Sequence, residues 1–368
     1  MGVSLYTVRV VLKVLGVEDF GVYHVVGGLV MLFSFLSAAM ASASQRYFSY
    51  ALGQGDPVRL KSIFSVNMLI YAGIGVFAFL ALETAGLWFV HNHLELPPQR
   101  FQAAVWVYHF STLALVANVI TSPFNAMIIA HEDMYLYAYI SVLDAVIKLL
   151  AVFALPFFPG EKMVVYAALM ATISVFLTAL YVLISQKRYA ECQFRSFSFD
   201  RVLAREMVGF TAWTLFGSLT TVGRNQAITI LLNQFFNPVI VAARVIAVNI
   251  ASKATLLSQN FNTGLYPPII KSYAAGDLKE MYKLIFSGSK ITFYLMWLLA
   301  LPLFIEMETL LSLWLGEVPA HAVFFARLAL VETLVMVISH PLATAARAPG
   351  KMAVYEGTLG TMQLLIFF

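Results

Sequence analysis

Long apolar runs broken by short polar stretches dominate the chain. The runs cover residues 1–15, 20–52, 59–90, 101–130, 134–157 and 162–186, and then 207–236, 238–268, 281–314, 320–346 and 351–368. A hydrocarbon layer about 30 Å thick is crossed by about 20 helical residues. The pattern therefore predicts an all-α, polytopic membrane protein of about eleven helices. Several runs exceed the spanning length and should tilt or project from the bilayer. The first and last runs are short, at Met1 and at Phe368, and read as incomplete helices of a fragment. The polar stretch divides the pattern into an N-terminal lobe (1–186), a cytoplasmic linker (187–206) and a C-terminal lobe (207–368).

Composition agrees: 61% of the residues are hydrophobic and 11% charged, against about 45–50% and 25% in soluble domains. The opening run lacks a cleavage site and is interrupted by Arg9 and Lys13, so it is not a signal peptide. One cysteine, Cys192, excludes a disulfide framework or a thiolate metal cage. Orientation follows from where Lys and Arg lie. Thirteen fall in one set of alternate loops, around Arg46–Lys61, Lys187–Arg205, Lys271–Lys283 and Arg347–Lys351. The other set has three, Lys13, Arg100 and Lys162. The first set is expected in the cytoplasm, although the loop His131-Glu132-Asp133 adds no positive charge to it.

The halves echo one another. Ser49-Tyr50-Ala51 and Gly55-Asp56 return as Ser272-Tyr273-Ala274 and Gly276-Asp277. A constant offset of 218 relates Pro123 to Pro341, Ala130 to Ala348, Met134 to Met352 and Tyr137 to Tyr355. Both echoes join helices six apart. The repeat is thus a six-helix unit in parallel orientation, a plan suited to alternating access by two rocking bundles.

Seven bases lie within or at the ends of helices (Arg9, Lys148, Arg224, Arg244, Lys253, Lys290, Arg327), against four acids (Glu83, Asp144, Glu332, Glu356). A central charge costs about 2.5–3.5 kcal/mol on insertion scales, so such residues face an interior or a wet cavity. The surplus of bases favours anions. In the seventh helix Thr214, Ser218, Thr221 and Asn225 share one face flanked by Arg224. They either line a cavity or pack helices through small residues. In the eighth, Asn249, Lys253 and Asn260 share a face, whereas Arg244 points nearly opposite and is expected to snorkel to the outer interface. In the fifth, Tyr137, Ser141, Asp144 and Lys148 form a stripe with Asp144 and Lys148 at i, i+4. Asp144 is either neutralised by Lys148 or a protonatable ion-coupling site. His91-x-His93, with only Glu95 near, is too poor a ligand set for a metal. Phe194, Phe197 and Phe199 among Arg195 and Arg201 read as an interfacial anchor. No catalytic or nucleotide motif, cofactor site or nucleic-acid patch is present in the pattern.

Residues 4–56, SLYTVRVVLKVLGVEDFGVYHVVGGLVMLFSFLSAAMASASQRYFSYALGQGD, resemble the start of bacterial polysaccharide-repeat (O-antigen type) flippases, particularly those of Bacteroides-like organisms. Residues 223–244 and 267–286 look like their second-lobe counterparts. These proteins belong to the multidrug/oligosaccharidyl-lipid/polysaccharide exporter superfamily, with a MATE-like architecture. The resemblance implies two six-helix lobes around a cavity in the bacterial inner membrane. The task implied is transfer of an undecaprenyl-diphosphate-linked oligosaccharide, with glycan polymerisation machinery acting on the product. It implies a cavity arginine on the first helix, for which Arg9 is the candidate. Arg224 and Lys253 would stand across the cavity as diphosphate ligands, and Thr221, Asn225 and Asn249 would meet sugar hydroxyls. One alternative is a multidrug cation antiporter of the same fold, whose substrates would favour an acidic cavity. A membrane-embedded polysaccharide polymerase or glycosyltransferase is the other, and the short outer loops argue against it.

Overall fold

A computed structural model describes residues 2–31, 33–94, 97–193, 199–236, 238–315 and 318–365. Among them it contains helices and turns and no strand. The helices are α1 (Gly2–Met31), α2 (Ser34–Gln54), α3 (Pro57–Ala81), α4 (Leu87–His93), α5 (Phe101–Ala130), α6 (Met134–Ala154) and α7 (Lys162–Arg188). They continue as α8 (Arg201–Phe235), α9 (Pro238–Ala254), α10 (Leu256–Ala274), α11 (Leu278–Ile305), α12 (Met307–Leu315), α13 (Ala322–Arg347) and α14 (Met352–Leu365). Six described stretches are long and apolar enough to cross a membrane: 57–93, 101–130, 134–157, 162–188, 278–305 and 322–347. Longer apolar runs break inside. Gly16, at φ +81°, kinks α1 where the first two predicted helices were to be separate. The predicted eighth helix divides between Ala254 and Leu256, and the ninth between Ile305 and Met307.

Two compact units form. The first comprises residues 1–48 and 57–208, the second 49–56 and 209–368. The expected linker therefore does not stand alone: residues 201–208, the first turns of α8, belong to the first unit. In the first unit α5 is central, packed on α7, α3 and α1. Its core gathers Val26, Leu82, Val90, Ala104, Val107 and Tyr108. In the second unit α13 is central, packed on α11, α9 and α10, around Ala243, Met296, Met307, Leu311, Ala326 and Leu330.

The sequence echoes coincide with repeated backbone geometry. Gly55 and Gly276 both adopt positive φ, +67° and +77°. Each amide bonds the carbonyl three residues back, Leu52 or Tyr273, and the following Asp amide bonds the carbonyl five back, Ala51 or Ser272. This left-handed helix stop favours glycine, which has no β-carbon to clash. At the 218 offset, Glu132 (φ +63°) and Gly350 (φ +78°) again match. The Met134 and Met352 amides donate to the carbonyls of those two residues at 2.7 and 2.9 Å. Pro123 in α5 and Pro341 in α13 are both buried in the central helix of their unit. Within the second unit the two echoing segments touch: a β-carbon on Gly53 would lie 2.6 Å from the Lys271 carbonyl oxygen, and the Tyr50 and Tyr273 rings are 6.5 Å apart.

Candidate functional site

The first unit holds a partly open polar cavity of about 300 Å³ lined by α5, α6 and α7. Asn118, Thr121, Ser122 and Asn125 line it from α5, Ser141, Asp144 and Lys148 from α6, and Ser174 and Tyr181 from α7. Helical periodicity places 118, 121, 122 and 125 on one face, and 141, 144 and 148 on another. Most of the hydroxyl protons are already committed. Thr121 donates to Ala117 O, Ser122 to Asn118 O and Ser174 to Met170 O, at 2.9, 3.2 and 3.0 Å. Asn118 likewise gives Nδ2 to Ala114 O at 2.8 Å. What these groups can still offer a guest is oxygen lone pairs. Asn125 Oδ1 is buried without a hydrogen-bond partner. Asp144 lies 2.8 Å from Lys148 Nζ, which donates to Oδ2, while Oδ1 lacks a well-aligned donor. The lining is acceptor-rich, with an internal ammonium covering part of the carboxylate. Chemically it suits a hard cation or a proton.

The other candidates are not gathered around this cavity. The side chain of Arg9 lies outside the described residues. Thr221, Arg224 and Asn225 are on α8, and Asn249 and Lys253 on α9, all in the second unit. Thr221 donates to Gly217 O at 2.9 Å and contacts Gln363 Oε1 at 3.2 Å. Arg224 is half-buried with its Nε unpartnered. Asn225, Asn249 and Lys253 are exposed, Lys253 in the last turn of α9. Arg244 is half-buried within electrostatic reach of Glu332 and Arg224. Of the aromatic anchor, Phe194 and Phe197 lie outside the described residues, and Phe199 is exposed.

Two clusters escaped sequence reasoning. Along the continuous stretch from α3 to α4 the helix widens into a π turn at Leu82–Gly86. The Tyr108 hydroxyl donates to Leu82 O at 2.7 Å, and Gly86 leaves room for that hydroxyl. The same turn brings Glu83 to 2.8 Å from His109 Nδ1. At the other end of α5, Asp133 accepts Arg188 Nε at 2.9 Å and Nη2 at 3.0 Å, and the Tyr189 hydroxyl at 2.5 Å. Burial pushes the Asp133 carboxyl up, but these donors outweigh it and hold it below the ordinary range. Burial likewise raises Glu191, and its 2.5 Å contact with His131 reverses the balance. Cys192 beside it is buried, and burial pushes its thiol up, which makes it unreactive. The first cluster was signalled only by Glu83 and His109 as single polar residues in apolar runs, and the second by polar residues of two separate connections, 131–133 and 188–191, which the sequence does not pair. Among the described residues no group of three or more His, Cys, Asp or Glu is placed to hold a metal ion.

No family model matches the chain. One curated relative, "Uncharacterized membrane protein EpsK" of Bacillus subtilis (strain 168), is 25% identical over 153 residues, 41% of this chain and 30% of that protein. The match thus spans less than a third of the relative's length. Among solved structures, the outward-facing conformation of a multidrug resistance MATE family transporter of the MOP superfamily superposes with a TM-score of 0.79. It is 14% identical and covers 98% of this chain and 80% of that one. MATE in complex with MaD3S gives 0.77 at 13% identity, over 95% and 80% of the two chains. A MOP superfamily transporter from Pyrococcus furiosus gives 0.73 at 14%, over 98% and 81%. The chain is a polytopic membrane protein with the MATE transporter fold.

Proposed function

We propose that the protein is a flippase that moves an undecaprenyl-diphosphate-linked oligosaccharide across the bacterial inner membrane by alternating access. The product would then pass to glycan polymerisation machinery. The observation that carries this reading is the pairing of the interior charges. Each of the four helical acids has a basic neighbour: Asp144 contacts Lys148, Glu83 His109 and Glu356 Arg347, and Glu332 lies within electrostatic reach of Arg244. A cationic drug would find its counter-charges already engaged, whereas the surplus of bases suits a diphosphate leaving water. For the Pyrococcus furiosus transporter, a reverse polarity of the binding pocket suggests a different function. A basic interior here is in keeping with such variation within one fold. In this reading Arg224 and Lys253 bind the diphosphate, with Thr221, Asn225 and Asn249 on the sugars; Arg9 is a further candidate base, and the Asp144 cavity serves ion coupling.

Complementation of a flippase-deficient bacterium tests the proposal. The wild-type gene is expected to restore surface glycan. Each lost charge-assisted bond is worth about 1.5–3 kcal/mol, so Arg224→Ala with Lys253→Ala should abolish restoration. Normal glycan from the double variant overturns the site assignment. Absence of complementation together with drug resistance in an efflux-deficient strain favours the multidrug antiporter.

A further inference from the structure

The second unit holds a buried carboxylate that the proposed cavity residues do not use. Glu356, on the second turn of α14, is 6% exposed. Its carboxylate lies flat against α8 at Gly217, in the space a β-carbon there would occupy. Its ion-pair partner Arg347, from the last turn of α13, approaches only to 3.4 Å through Nη2. Arg347 Nε and His340 Nε2 are buried without hydrogen-bond partners. Glu356 and Arg347 thus share one long bond, with His340 within electrostatic reach of Arg347. Asp144 contrasts with this: its carboxylate is held at 2.8 Å and its side chain is 31% exposed. Discharging Asp144 would strand a close ammonium beside a wet cavity. Discharging Glu356 relieves a buried anion that has one long contact.

The geometry points to Glu356 as a proton-binding site in the second unit. A proton from the aqueous phase adds to the carboxylate, the contact with Arg347 is lost, and the seat of α14 on Gly217 of α8 loosens. Glu356 is thus a second site, in the other unit from the Asp144 cavity. Assigning this proton to transport coupling rests on the flippase reading, whereas the binding itself does not. The charged and titratable groups around the site are few. On α13 they are Arg347 and His340, which interact electrostatically. On α14 the Tyr355 ring lies under the Arg347 guanidinium at 5.6 Å. The facing turns of α8 present Trp213, Thr214, Gly217, Thr220 and Thr221, and the nearest α8 charge along that face is Arg224, seven residues beyond Gly217. Lys351, in the α13–α14 connection, is exposed.

Trp213 supplies the probe, because a β-carbon on the neighbouring Gly357 would lie 3.8 Å from its ring. The test uses the full chain in lipid nanodiscs, with Trp88, Trp106, Trp297 and Trp314 changed to Phe. Trp213 emission is followed as pH is varied from about 8 to about 4, a range that brackets buried carboxyl groups. A single transition is expected, absent in Glu356→Gln, which should show the low-pH emission throughout. Arg347→Met removes the favourable positive neighbour and should move the transition up by about 1–3 pH units. This variant keeps the test decisive should Glu356→Gln fail to fold. His340→Gln and Asp144→Asn should leave the transition in place. No transition in the parent, persistence in Glu356→Gln, no shift in Arg347→Met, or loss in His340→Gln or Asp144→Asn overturns the proposal. A normal titration in a protein that fails glycan complementation retains this site and sinks only the flippase reading.

Discussion

Replacing Lys148 by Met isolates what the Asp144 cavity demands of its internal ammonium. The variant keeps the bulk of the side chain and leaves Asp144 facing Asn118, Ser122 and Asn125 without its cation. Breaking a fully buried pair from one side costs about 3–5 kcal/mol, while an exposed i, i+4 pair is worth about 0.3–0.5. Here the side chains are 42% and 31% exposed at a separation of 2.8 Å. The loss should therefore lie between those limits, at about 1–2 kcal/mol after solvent screening. At roughly 2–4 °C per kcal/mol for a unit of this size, Tm should fall by about 2–8 °C. The assay is direct because Cys192 is the single cysteine and is buried: a thiol-reactive fluorophore added to the protein in detergent reports unfolding as the thiol becomes accessible. Asp144→Asn in the same background should restore part of the loss, with a coupling of at least about 0.5 kcal/mol. If the two substitutions add within about 0.3 kcal/mol, the pair does not interact energetically, and the cavity is not an internally compensated carboxylate.

The π turn is expected to depend on Tyr108: Tyr108→Phe should cost about 1 kcal/mol and speed amide hydrogen exchange across residues 82–86, and unchanged exchange there would remove the hydroxyl as its cause. Gly53→Leu forces a side chain against the Lys271 backbone, so overpacking of about 1–3 kcal/mol should lower Tm, and a neutral substitution would show that this approach is not tight. Acid stability should involve Asp133. Because its carboxyl is held below the ordinary range, its contribution is complete above the unfolded-state value and is lost as pH falls through the folded-state value. Asp133→Asn should therefore be less stable than wild type at neutral pH and nearly equal to it in strong acid, a difference followed by thermal unfolding across pH.

Helix positions were legible because apolar runs of bilayer length leave few alternatives. The pseudo-repeat was also legible, since Gly55 and Gly276 occupy a helix-stop conformation that favours the same residue in both halves, whereas the matching stop at Glu132 and Gly350 leaves no shared residue in the sequence. Breaks inside long runs were harder to see. The division between α9 and α10 falls at Ala254-Thr255-Leu256, where no Gly or Pro marks it, and the π turn at Leu82–Gly86 depends on Tyr108, which is distant in sequence. The Asp144–Lys148 contact was readable because i, i+4 spacing alone brings such residues together. Glu83–His109 and Arg347–Glu356 join different helices, and periodicity cannot say which face of one helix meets which face of another.

Interior charges in a chain of this kind differ in the work they already do. Counting seven bases against four acids suggests a surplus free for an anionic guest, yet a count treats all charges alike. Lys148, one of the seven, contacts Asp144, and Arg244, another, lies within electrostatic reach of Glu332, so neither is simply available to a substrate. Arg224 differs, because its Nε is buried without a partner, and it lies within electrostatic reach of Arg244, which in turn feels Glu332. A diphosphate arriving there would meet two guanidinium groups beside the Glu332 carboxylate, and an unmade hydrogen bond waiting to be completed. The basis for an anionic substrate thus narrows from the whole interior to the region of α8 and α9 around Arg224, which is where substitution should discriminate most sharply between a lipid diphosphate and a cationic drug.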